Sequence, residues 1–351
     1  MSQLNIFCDQ FFTNHRTGYG HPENHNRINV LLDLLPMYNN NPLITVHNLD
    51  QSTSINPQIV HSVDYLKFLN NNIPPKNGFF MLDEDTVACD QSVAVALSSL
   101  KIHTQAISTT ISCNQASFVW SRPPGHHALP NSSMGFCIFN NIAYTAKIAQ
   151  QQLGIQKILI LDWDVHHFNG TEDMFYDDSS VLTISMHQYP HWPEGFGSSQ
   201  RRGEGKGFGY NSNIPMPKES GDWQVIESFE KFIRPQIESF EPELILVSAG
   251  FDAHIMERNS GLGVKSLLSW TGSAYSYLTL SLMQLAKKHS NNRILFTLEG
   301  GYNLESLKSS TQSVIDTIIT NNLITNNNFT TGENMNQQTW NEYKTNIQNN
   351  L

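Results

Sequence analysis

Charge is scarce in this sequence: Asp, Glu, Lys and Arg make up 15% of its 351 residues, against roughly a quarter in ordinary globular proteins. What charge there is leans acidic, with 31 carboxylates against 21 Lys and Arg and a formal net of −10. No Lys/Arg run is longer than Arg201-Arg202, which argues against direct nucleic-acid binding. Cysteine is equally sparse. Cys8, Cys89, Cys113 and Cys137 contain no Cys-x-x-Cys, which excludes a disulfide scaffold and a thiolate zinc site and predicts a reduced, cytoplasmic chain. The first residues lack a basic stretch followed by an apolar one, so no secretory signal is expected. Apolar runs reach about half a dozen residues, far short of the ~20 that a membrane-spanning helix needs. No membrane contact is expected.

What is there suffices for a large core. Hydrophobic residues reach 39% and aromatics 10%, which excludes global disorder. Five short runs read as buried strands: Ser117–Trp120, Lys157–Asp162, Val181–Ser185, Glu243–Ser248 and Arg293–Leu298. Being apolar on both faces, they suit a parallel sheet covered on both sides. Between them lie helical patterns over Asn141 to Leu153 (ending at Gly154), Trp223 to Phe240 and Ser266 to His289. This alternation predicts an α/β three-layer sandwich with a central parallel sheet and right-handed crossovers. No linker divides the chain, so residues 1–320 read as one domain. Residues 321–351 form an Asn-rich tail that is partly ordered if Trp340 and Tyr343 dock. Gly195 to Tyr210 reads as a long surface loop.

Chemistry gathers after the predicted strands. The run Ile158-Leu-Ile-Leu leads into Asp162-Trp-Asp164-Val-His166-His167. Strand side chains alternate, so Asp162, Asp164 and His166 share one face. Buried neighbouring carboxylates are costly unless cations neutralise them; solvated loop carboxylates are the plainer alternative. Leu244-Ile-Leu-Val-Ser-Ala-Gly leads to Asp252, alone an ordinary cap or loop carboxylate. Parallel strands end at the same sheet edge, where such folds place their ligands. Asp164, His166 and Asp252 there make a three-ligand site with open positions, as catalytic zinc requires. Ligand type alone leaves manganese or iron open.

Arg122-Pro-Pro-Gly-His126-His127 follows another strand. Its Pro-Pro-Gly forces a rigid turn, which suits an acid/base pair, although adjacent histidines are often surface chance. Asp162 and Asn169 are suitable partners to orient the two rings. Leu298-Glu-Gly300-Gly301-Tyr302 follows a further strand. Its glycines permit close backbone approach, and a tyrosine placed there can donate to an oxyanion. Alone, the same motif more often means a glycine turn with a packing aromatic.

Taken together, these motifs resemble the zinc-dependent histone deacetylase and acetylpolyamine amidohydrolase superfamily. His21-Pro-Glu23 with Arg27, Met134-Gly-Phe-Cys-Ile-Phe-Asn-Asn141, Ile184-Ser-Met-His-Gln188 and Ser248-Ala-Gly-Phe-Asp-Ala-His254 add to the likeness, which spans residues 5–315. The resemblance implies the arginase/deacetylase fold and amide hydrolysis of acetylated lysine in a protein or peptide, or of an acetylated polyamine. It implies Zn(2+) on Asp164, His166 and Asp252. It implies catalysis by His126, His127 and Tyr302 with Asp162 and Asn169, and His127 as base and acid. It implies a substrate channel of Gly135, Phe136, Trp192, Gly301 and the rim Asp85, with Arg27 behind the site. Structural K(+) is implied at Asp162, Asp164, His166, Ser185 and Met186, with a second site near Phe175, Asp178 and Val181.

Three departures bear on that likeness. Phe168 replaces a glycine usual in relatives, and either intrudes on the metal loop or packs as core. Trp192 stands where the channel wall is usually Phe or Tyr, and Ser260-Gly-Leu-Gly follows an unusual Ile255-Met-Glu-Arg. A binuclear manganese ureohydrolase is disfavoured, because it needs a carboxylate at Phe168. An inactive acyl-lysine reader is a further alternative, against which Tyr302 and both histidines argue.

Overall fold

A computed structural model of the chain describes residues 2–259, 266–324 and 335–351. The glycine-rich Ser260-Gly-Leu-Gly and the Asn326–Asn328 run lie outside the described residues. Among the described residues there are ten strands: β1 (Leu4–Cys8), β2 (Ile44–His47), β3 (Phe79–Met81), β4 (Val87–Cys89), β5 (Ala116–Trp120), β6 (Ile158–Asp162), β7 (Val181–Gln188), β8 (Asn211–Met216), β9 (Leu244–Ala249) and β10 (Ile294–Leu298). Eight form one sheet in the order β2-β1-β5-β10-β9-β6-β7-β8, and every neighbouring pair is parallel. β3 and β4 make a separate antiparallel hairpin.

The expected three-layer α/β architecture is the one observed. β5, β6, β9 and β10 are buried at every position, the consequence of strands apolar on both faces lying between helix layers. Helix 141–153 begins where Asn140 accepts the Ala143 N–H and ends at Gly154, whose φ of +75° is the left-handed stop. The pattern over Trp223 to Phe240 is helical but passes through a π turn, Phe229–Ile233, just before Pro235. Proline has no N–H to return to the preceding turn, so the ladder loosens there. The helix expected from Ser266 starts instead at Gly272, because Thr271 caps it and Ser269 and Trp270 make bridges to Gly221 and His254. Helix 337–350 buries Trp340, Tyr343 and Ile347 along one stripe, with Trp340 Nε1 donating to Glu227 Oε2 at 2.7 Å. Among the described residues, no helix is long and apolar enough to cross a membrane.

Candidate active site

Adjacent strands β6 and β9 bring their C-terminal residues to one point. Past β6 the chain folds on its own carboxylates: Asp164 N–H donates to Asp162 Oδ1 at 2.8 Å, and His166 N–H to Asp164 Oδ1 at 2.9 Å. Asp252, past β9, accepts the Val165 N–H on Oδ1 at 2.9 Å. Asp164, His166 and Asp252 each offer a ligand atom within 4.8 Å of the other two, and His166 Nδ1 lies 3.0 Å from Asp164 Oδ1 and 3.2 Å from Asp252 Oδ2. Asp252 Oδ2 is buried without a hydrogen-bond partner. Burial and the nearby Asp164 push the Asp252 carboxyl above its ordinary range. Two buried carboxylates, one imidazole and an unsatisfied oxygen form a donor set that fits a divalent cation. Gly250 and Gly300 close the back of this cradle: a Cβ on either would fall within 2.0 and 2.1 Å of the Asp164 and Asp252 carboxylates, respectively.

The two histidines are sorted by their partners. His126 Nδ1 faces Asp162 Oδ2 at 2.8 Å, while His127 Nδ1 faces Asn169 Oδ1 at 2.7 Å. Burial alone would lower both. For His126 the Asp162 and Asp164 charges overcome it, and the pKa rises to about 10. For His127 burial and the imidazoles of His126 and His166 act together, holding it well below the ordinary histidine range. Glu299 braces the turn beneath, accepting Gly125 N–H at 2.7 Å and His126 N–H at 3.2 Å on Oε2. Sequence reasoning gave Glu299 no role, although it sits inside the Glu-Gly-Gly-Tyr motif.

Tyr302 lies almost fully buried, its ring 5.0 Å from the Arg27 guanidinium. Burial raises its hydroxyl pKa well above the usual value, so the hydroxyl keeps its proton. Arg27 donates from Nε to the Gly301 carbonyl at 2.7 Å and from Nη2 to the Glu299 carbonyl. It is itself held by Glu23, which also receives a two-pronged bond from Arg122. Glu23 was quoted in the sequence motif without a role. The structure makes it the buried anion that ties two buried arginines to the floor of the site.

Gly135, Phe136 and Trp192 flank the same space. The Phe136 ring stands edge-on to Tyr302 at 5.9 Å, and Trp192 edge-on to His127 at 4.7 Å and to His166 at 5.7 Å. A Cβ at Gly135 would come within 2.4 Å of the His127 ring and 2.7 Å of Trp192, so only glycine fits between them. His191, unremarked in the sequence, stacks on His166 at 5.1 Å. Asp85 turns inward, accepting the Gly135 N–H at 3.1 Å. Burial and Asp83 raise its pKa to about 6.

Phe168 is fully buried and packs edge-on to His167 at 5.2 Å; its φ of −78° is one any residue adopts. His167 in turn meets Asn213 Oδ1 at 2.9 Å and lies 3.4 Å from buried Glu172. Asp162 pairs in register with Ser185 across β6 and β7, and both are buried with Asp164, His166 and Met186. Phe175 and Val181 are buried beside Asp178, which binds Lys147 at 2.9 Å.

The histone deacetylase domain family matches residues 21–318. The chain is 33% identical over 306 residues to histone deacetylase 10, chloroplastic, of Oryza sativa subsp. japonica, covering 83% of this chain and 68% of the relative. It is 33% identical over 305 residues to a probable deacetylase of Archaeoglobus fulgidus, covering 86% of this chain and 81% of that one. The crystal structure of the HDA15 HD domain superposes with a TM-score of 0.81 at 26% identity, across all of this chain and 99% of that one. The strand-end carboxylates, the paired histidines and the match across most of the chain together make this protein a member of the histone deacetylase family.

Proposed function

We propose that the chain is a zinc-dependent amidohydrolase that removes acetyl, or another short acyl group, from the ε-amine of lysine in a protein or peptide. Membership of a family of deacetylases supports hydrolysis of an amide, and lends no support to a reader that leaves its ligand intact. The observation that carries the finer reading is the pair His126 and His127, one held at Nδ1 by the Asp162 carboxylate and the other by the Asn169 amide, beside Asp164, His166 and Asp252.

Zinc held by Asp164, His166 and Asp252 would supply Lewis acidity to a carbonyl oxygen and a water. The remaining work falls to the chain. His127 Nδ1 donates to Asn169 Oδ1, so Nε2 carries the lone pair and takes a proton from the attacking water. His126, held as imidazolium by Asp162, stabilises the negative charge that develops. The protonated Tyr302 hydroxyl donates to the carbonyl oxygen as it becomes an oxyanion. His127 then returns its proton to the departing amine. Phe136 and Trp192 flank the lysine methylenes and keep water out. Potassium at Asp162, Asp164, His166, Ser185 and Met186 would add positive charge behind the same carboxylates, with a second ion near Phe175, Asp178 and Val181.

The test combines turnover with elemental analysis. Zinc-loaded protein should hydrolyse an acetyl-lysine peptide, with acetylspermidine as the comparison substrate, and contain close to one zinc per chain. Asp252→Ala should lose the metal. Two transition metals per chain, wild-type zinc in Asp252→Ala, or no turnover of the peptide at full zinc would each overturn the reading. Faster turnover of acetylspermidine would move the substrate to polyamines.

A further inference from the structure

The segment Leu82-Asp-Glu-Asp-Thr86 joins β3 to β4, and its architecture extends past Asp85. Asp83 Oδ1 accepts the N–H groups of Asp85 at 3.0 Å and Thr86 at 2.8 Å, while the Thr86 carbonyl takes the Leu82 N–H at 2.9 Å. The loop is thereby fixed with the Asp85 carboxylate and the Thr86 hydroxyl presented to a second turn.

That second turn is Met134-Gly135-Phe136-Cys137. Cys137 N–H donates to the Met134 carbonyl at 2.9 Å, and Met134 N–H to the Cys137 carbonyl at 3.3 Å. Gly135 and Phe136 have φ of +58° and +69°, the two consecutive left-handed residues of a type I′ turn. Glycine adopts this region freely, whereas phenylalanine does so under strain and needs its surroundings to hold it. Both central N–H groups of the turn are capped by one partner loop. Gly135 N–H goes to Asp85 Oδ1 at 3.1 Å, and Phe136 N–H to Thr86 Oγ1 at 3.0 Å. Thr86 is buried at 1% exposure, so water cannot replace that acceptor without opening the structure.

The turn positions the channel. It sets the Phe136 ring against Tyr302 and His21, at 5.9 and 4.8 Å, and inserts Gly135 between His127 and Trp192. We propose that Thr86 is a positioning residue whose hydroxyl, beside the Asp85 carboxylate, holds the strained Gly135–Phe136 turn in the shape that receives the acyl-lysine chain. Removal of the hydroxyl leaves the Phe136 N–H without its acceptor, and the left-handed φ relaxes with the ring attached to it. Thr86 touches no reacting atom; its hydroxyl acts through the turn, accepting the Phe136 N–H and donating at 3.5 Å to Asp85 Oδ1, the oxygen that caps Gly135. The role rests on the deacetylase reading for its consequence, and on the turn itself for its geometry.

The comparison of Thr86→Val with Thr86→Ser isolates the hydroxyl. Valine keeps the branched shape and lacks the acceptor; serine restores it. In Thr86→Val, KM for the acetyl-lysine peptide should rise about tenfold, the scale of one net hydrogen bond, with kcat and zinc content near wild type. The Phe136 amide should exchange its hydrogen about tenfold faster, followed by NMR, for the same reason. Thr86→Ser should return both quantities to wild type. Unchanged KM or unchanged exchange in Thr86→Val, a loss confined to kcat, or a serine variant as impaired as valine would each overturn the proposal. Thr86→Ala takes the place of Thr86→Val if the latter does not fold. Amide exchange reads the turn whether or not the protein turns over acyl-lysine, so failure of the deacetylase reading is seen separately, as an inert wild type.

Discussion

The rings of His126 and His127 lie 3.9 Å apart, yet their Nδ1 atoms face partners of different charge, the carboxylate of Asp162 and the amide of Asn169. Two adjacent residues of the same type are thereby given separate duties. In the proposed mechanism one holds the positive charge, and the other keeps a lone pair free for a proton. Two histidines this close cannot both be charged in a buried site, so the carboxylate decides which one is.

Asn169→Asp should blur that division. A carboxylate at His127 Nδ1 favours the imidazolium and raises the His127 pKa. The acidic limb of the kcat/KM profile should then move to higher pH, with zinc content retained. A limb left in its wild-type place would remove His127 as the base.

Tyr302→Phe deletes one hydroxyl and leaves the ring, its contact with Arg27 and all three ligands in place. Loss of an oxyanion donor costs about 10²- to 10³-fold in kcat, with much less change in KM, because the bond is strongest in the transition state. A variant that keeps more than about a tenth of wild-type kcat at full zinc would contradict that role.

Phe168→Gly bears on the two placements left open by the sequence. The ring is buried against His167 and its backbone needs no glycine, so its loss should lower stability by roughly 3–5 kcal/mol through the cavity left behind. In the folded fraction kcat should be unchanged. Thermal melting and steady-state kinetics on the same preparation measure both, and a faster, equally stable variant would place the ring in the metal loop instead.

Acid should destabilise the fold through His61. Its Nδ1 lies 3.0 Å from the Leu129 carbonyl, and its Nε2 accepts the Asn140 N–H at 3.0 Å. Only the neutral ring satisfies both. Burial lowers its pKa from 6.5 to about 4, so the unfolded chain binds more protons than the folded one between those values. Stability is therefore intact above pH 6.5 and falls as pH drops towards 4. The full effect is on the order of 3 kcal/mol. His61→Gln should flatten this part of the stability–pH curve measured by denaturant unfolding; an unaltered slope would assign the acid sensitivity elsewhere.

Not every strand was equally readable. β5, β6, β7, β9 and β10 stood out because their side chains are apolar on both faces. β8, Asn211-Ser-Asn-Ile-Pro-Met, reads as polar and broken by proline, yet is buried at five of its six positions. Asn211 and Asn213 each donate to Glu172 Oε1 at 2.8 Å, a partner about forty residues away that no local pattern announces. Pro215 is tolerated because β8 is an edge strand. Glu299 and Glu23 were overlooked for a similar reason. A buried carboxylate acquires a role only from the N–H groups and guanidinium groups brought to it by other elements.

Residue order alone put Asp162, Asp164 and His166 within five residues at the end of one strand, but β6 stops at Asp162. The backbone turning onto the Asp162 and Asp164 carboxylates, not strand alternation, sets where Asp164 and His166 sit. Residue order also marked the end of helix 141–153 at Gly154, where the left-handed stop is local chemistry. Tertiary structure decided the rest. Asp252 reaches the Val165 N–H across 87 residues only because β9 lies beside β6. The different Nδ1 partners of His126 and His127, and the clamp of Asp85 and Thr86 on a left-handed turn 50 residues away, likewise exist only in the folded chain. Side-chain periodicity is a property of the covalent chain. Desolvation and charge pairing depend on distances through space, and those are set only when the sheet and its covering helices close around the site.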